Sequence, residues 1–122
     1  MKTTTSTRQV GGITIVDIRG RIVLGEKSSS VRDKIHDLLS NGQKQIVLNL
    51  GAVDNIDTRG LGTLVGAFTT VRKQGGELKL LNLPEKVADV MQITKLYNVF
   101  EIQNDEATAV KSFSQATVTA MA

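Results

Sequence analysis

"QIVLNLGAVDNIDTRGLGTLVGAFTTVRK", residues 45–73, carries two hydrophobic periods in succession, and the change between them decides the fold class. Residues 45–50 are a nearly unbroken apolar run, the pattern of a strand buried on both faces. Over residues 60–73 the spacing becomes helical: Leu61, Leu64, Val65, Phe68 and Val71 share one face, and Gly75 and Gly76 close the helix. In between, Asp54, Asp57 and Thr58 crowd the strand's end, directly before Gly60, Leu61 and Gly62. In open α/β sheets, sites gather at the carboxyl ends of strands, so this loop is the place to look for function.

The same alternation extends on both sides. Gly11 and Gly12 signal a hairpin leading into "ITIVDIRG" as a strand, with a bend at Gly20 and a short continuation in "RIVL". Residues 30–41 read as a helix with Val31, Ile35, Leu38 and Leu39 on one face, Ser30 as N-cap and Gly42 past the end. After residue 76, "ELKLLNL" (77–83) is a strand. Pro84 starts a third helix with Val87, Val90, Met91 and Thr94 inside, and "VFEIQN" (99–104) is a last short strand. Asp105 caps a final helix carrying Val110 and Phe113. The expected fold is α/β, a mixed but mostly parallel central sheet with about four helices. The 122 residues are read as one domain, residues 1–8 being a frayed end or an edge strand and 116–122 a frayed tail.

Composition narrows the function classes. With no Cys there is no disulfide framework and no cysteine metal site, which fits a reducing compartment. The opening "MKTTTSTRQV" has no apolar leader pattern and no run approaches a membrane span, so the expected setting is soluble and cytoplasmic. Fifteen Lys+Arg against twelve Asp+Glu is only mildly basic, and aromatics make up 3% of the chain, too few to stack bases. Arg19, Arg21, Lys27, Arg32 and Lys34 could form a basic area, but scattered charge reads as solvated surface; no direct nucleic-acid or membrane partner is expected.

Helix capping and close packing at glycine account for one of the three polar residues at 54–58 and leave the others as loop surface. Enzyme chemistry fits poorly. A Thr nucleophile needs a base, and the lone His36 falls between Ile35 and Asp37 on the solvent side of the first helix. "DNIDT" has no partner cluster to complete a carboxylate metal site, so no metal or cofactor is expected. "GLG" lacks both GxGxxG and the P-loop lysine. A phosphoacceptor receiver domain would place its Asp where Asp57 stands. Yet the first strand offers only Asp17 in place of an acidic pair, and the late Lys-Pro is absent.

Residues 46–102, from "IVLNLGAVDNIDTRGLG" through the Gly-Gly loop to "MQITKLYNVFEI", resemble the STAS domain of bacterial anti-sigma-factor antagonists. The turn at Gly20 and Ile22 is similar as well. The resemblance implies a non-enzymatic switch: the unmodified form binds an anti-sigma factor that is also a protein kinase, freeing a sigma factor, and phosphorylation ends the complex. Carried over, the acceptor is Thr58, preceded by Asp57, with Asp54, Arg59, Gly60, Leu61 and Gly62 completing the docking turn. A phosphatase that resets Thr58 is a further implied partner. This chain has Thr where Ser is commoner and Arg59 where small polar residues are usual, and the Asp that often follows the Gly20 turn is missing or replaced by Glu26. The other role the resemblance allows is a scaffold or accessory module, binding sibling subunits or a transporter ATPase without phosphorylation.

Overall fold

A computed structural model describes residues 4–22, 28–56, 58–94 and 100–121. The chain opens with β1 (Thr4–Val10) and β2 (Ile13–Ile22), joined through Gly11 and Gly12 at φ 56° and 83°, the left-handed geometry of a tight hairpin turn. Then come α1 (Ser28–Ser40), β3 (Gln45–Ile56), α2 (Thr58–Lys73), β4 (Glu77–Leu81), α3 (Glu85–Thr94), β5 (Ile102–Gln103) and α4 (Glu106–Met121). The five strands lie in the order β1-β2-β3-β4-β5, β1 antiparallel to β2 and every other pair parallel. The mixed, mostly parallel sheet is the expected one, and residues 4–10 are its edge strand.

The apolar run of β3 divides by parity. Ile46, Leu48 and Leu50 join Val16, Ile18 and Leu80 in a core with Val31 and Ile35 of α1, Leu61 and Leu64 of α2, and Val87 and Met91 of α3. Val47 instead joins Ile13, Ile15 and Leu81 beneath Ala109 and Phe113 of α4. Three helices therefore cover one face and α4 the other, which is why β3 needed apolar residues at consecutive positions.

Both α1 and α2 end in the same way. Gly42 and Gly75 adopt φ 79° and 81°. Gln43 N–H donates to the Leu38 carbonyl and Gly42 N–H to Leu39, while Gly76 N–H donates to Val71 and Gly75 N–H to Arg72. These paired bonds are Schellman caps, and they need a residue that tolerates the left-handed region. At the start of α4, Asp105 Oδ2 accepts from Thr108 N–H at 2.9 Å, the expected N-cap. That bond, and a second that the Thr108 hydroxyl donates to the same oxygen at 3.0 Å, hold the Asp105 carboxyl below the usual carboxylate range.

Several expectations need correction. α1 begins at Ser28, so Ser30 lies inside the helix and is not its N-cap. β3 continues to Ile56 and does not stop at Leu50. β4 ends at Leu81, and β5 is two residues, because Phe100 leaves the ladder to pack in the core at 6% exposure. α4 continues through residues 116–121, expected as a frayed tail.

Candidate functional site

Strict alternation would turn Val53 away from the core that holds Leu50. It remains there, with Ile56, because β3 gains one residue on β2 twice. Asp17 pairs with Asn49 and Arg19 with Ala52; then Gly20 pairs with Val53 and Arg21 with Asn55. Each shift is a β-bulge, and each restores the inward direction of the next apolar side chain. The residue skipped by the second bulge is Asp54, which is exposed. The acid expected in a loop thus stands on a strand, re-aimed by the backbone irregularity around it.

The first bulge is held by side chains. The Gly51 amide donates to Asn49 Oδ1 at 3.1 Å, and Asn82 Nδ2 donates to the same oxygen at 3.2 Å. Asn49 Nδ2 in turn donates to Asp17 Oδ1 at 2.7 Å. Arg8 reaches Asp17 through Nε at 2.6 Å and Glu106 through Nη2 at 2.7 Å. Arg8, followed by the Asn49 hydrogen bond, holds the Asp17 carboxyl below its ordinary range, against an opposing effect of burial. These bonds tie the middle of β2 and of β3 to Asn82, the residue that follows β4.

α2 begins at Thr58, which puts that residue and Arg59 in the first helical turn, where N–H groups lack helical acceptors. Asp57 lies outside the described residues, as do the side chains of Asn55, Thr58 and Arg59, and Glu26. Gly60 and Leu61 are buried, Leu61 at 1% exposure in the core, whereas Gly62 is exposed. The structure therefore brings Thr58, Arg59 and Gly62 to one end of α2 and gives Leu61 to the interior.

Sequence reading missed the continuation of this surface. Thr58, Gly62, Gly66 and Thr70 are spaced four apart and form one row along α2. A groove of about 100 Å³ runs along Gly62, Gly66 and Thr70 of that row against α1, with Arg32 and His36 on its other side. Nothing lies within 4 Å of where a Cβ would stand on Gly62 or Gly66. The four-residue spacing was the available signal, but only the packing of α1 on α2 shows that Gly62, Gly66 and Thr70 face a groove. His36 is exposed, as expected. Among the described residues there is no group of three or more His, Asp or Glu able to hold a metal ion, and no helix is long and apolar enough to cross a membrane.

The STAS domain family model matches residues 4–109. The chain is 39% identical over 72 residues to the anti-sigma-B factor antagonist of Bacillus subtilis, a match covering 59% of this chain and 65% of that protein. It is 35% identical over 88 residues to the anti-sigma-B factor antagonist of Listeria monocytogenes, covering 69% and 77%. The crystal structure of an anti-sigma factor antagonist from Mycobacterium paratuberculosis superposes with a TM-score of 0.79 at 18% identity, over 91% and 93% of the two chains, a likeness of fold.

Proposed function

The chain belongs to the STAS domain family, and from that premise we propose that it is an anti-sigma-factor antagonist switched at Thr58. In its unmodified form it binds an anti-sigma factor with serine/threonine kinase activity and so releases a sigma factor; a phosphatase resets it. The observation that carries this reading is the position of Thr58 in the first turn of α2, directly after the bulged end of β3 and the exposed Asp54. The relatives named as anti-sigma-B factor antagonists support the partner class.

Phosphorylation adds about −1.5 to −2 charges and three acceptor oxygens. At a helix N-terminus the free N–H groups and the dipole accept that anion, so the fold survives. The interface does not: a dianion near Asp54 meets a surface complementary to a neutral hydroxyl, and repulsion with desolvation releases the partner. The Gly62–Gly66 groove supports a partner that covers Thr58 and continues along α2.

The test is incubation with a candidate kinase and ATP, followed by mapping of the modified residue by mass spectrometry. Phosphate is expected at Thr58 and nowhere else. Thr58→Ala is expected to stay folded, keep the partner and refuse phosphate. An active kinase that leaves Thr58 unmodified would remove the switch and favour the accessory-module role.

A further inference from the structure

β5 pairs only with Leu80 and Leu81, so among the described residues the edge of β4 before Leu80 has no ladder partner on that side. A cavity of about 360 Å³ opens there, within the range of small-molecule sites. Its apolar wall is Phe68 and Phe100, whose rings meet edge to face at 5.4 Å between centroids. The chain has only three Phe and one Tyr, so half of its aromatic residues stand at this one place. Arg72, in the last turn of α2, sets its guanidinium 5.8 Å from the Phe68 centroid.

The charges around the cavity are not equivalent. Lys79 is buried and already satisfied: its Nζ donates to Ser112 Oγ at 2.7 Å, pairs with Glu101, and lies 4.4 Å from the Phe113 ring centroid. Arg72 is exposed and makes no ion pair with a carboxylate among the described residues. The cation available to a ligand is therefore Arg72, beside a two-ring wall.

From this arrangement we propose that the cavity is a binding site for a small aromatic carboxylate, its ring against Phe68 and Phe100 and its carboxylate on the Arg72 guanidinium. Other chemistries fit less well. Glu77 and Glu101 on the rim repel a polyphosphate more strongly than a single carboxylate. The Lys79 amine, paired with Glu101 and 3.9 Å from Glu77, takes the place a cation would need between those acids. An ammonium ligand would be repelled by the Arg72 guanidinium beside Phe68. The site is distinct from the proposed switch: from Thr58 to Arg72 the helix rises roughly 20 Å.

The experiment is a titration of the whole chain with phenylacetate, followed by amide ¹H–¹⁵N correlation spectra. Expected are saturable shifts at Phe68, Arg72, Leu78 and Glu101, with a Kd of about 1 mM for a ligand of that size. Phenylacetamide, which keeps the ring and loses the charge, should bind the wild type roughly tenfold more weakly, and phenylacetate should weaken as much on Arg72→Ala. Shifts that do not saturate, shifts centred elsewhere, or equal affinity for the amide or for Arg72→Ala would each overturn the assignment. The amide comparison needs no variant, so a folding defect cannot obscure the result.

Discussion

A Cβ on Gly76 would stand 2.4 Å from the Lys44 carbonyl oxygen and 2.9 Å from Val71 Cγ1, so at this residue the main chain of a neighbouring segment occupies the space. Gly76→Ala must push that segment away, and a loss of about 1–3 kcal/mol is expected from urea unfolding. Gly62 and Gly66 are the opposite case. Both lie within a sixteen-residue helix with open space where a Cβ would go, and glycine there costs about 0.5–1 kcal/mol relative to alanine. Gly62→Ala and Gly66→Ala are therefore expected to stabilise the free protein by that amount while weakening the proposed partner complex. Opposite signs in unfolding and in binding would mark these glycines as belonging to the interface. A gain in stability with unchanged affinity would return them to ordinary helix surface.

At the scale of elements, the bulged end of β3 sets the direction of the candidate site. Asn49→Ala removes the acceptor for the Gly51 amide and for Asn82, and a hydrogen bond to Asp17. A loss of about 1–2 kcal/mol is expected by denaturant unfolding, together with weaker partner binding than Thr58→Ala shows, because the bulge would relax. The same bulges explain what the sequence could and could not tell. The stripes of α1 and α2 were readable because each apolar residue obeys a local period. Beyond Leu50 that period fails: Val53 and Ile56 are three apart on a strand, and only the register of β2 makes sense of them. Lys79 was equally hidden, since the Ser112, Glu101 and Phe113 that make its burial tolerable come from distant parts of the chain. Thr58 and its glycines were legible as a motif; the groove beside them depended on how two helices pack.

Across the whole molecule, Arg8 joins the edge strand β1 to β2 and to α4 on the far face. Its guanidinium binds Asp17 through two bonds, at 2.6 and 3.1 Å, and Glu106 through a third. The native Asp17 carboxyl titrates below its ordinary range, so it contributes stability above the unfolded-state pKa of about 3.9 and loses it as pH falls through the lower native value. Arg8 is 41% exposed, and solvent screening keeps the gain at about 1 kcal/mol or less. Arg8→Ala should therefore be less stable than wild type at pH 7 by up to that amount. The gap should narrow once acid protonates Asp17 in both proteins, and shrink in high salt at neutral pH. Urea unfolding of the two proteins at pH 7 and in strong acid reads the difference directly. A gap that stays constant across that range would assign Arg8 a packing role, its methylenes covering β2, and would leave the charge with no part in joining the edge hairpin to α4.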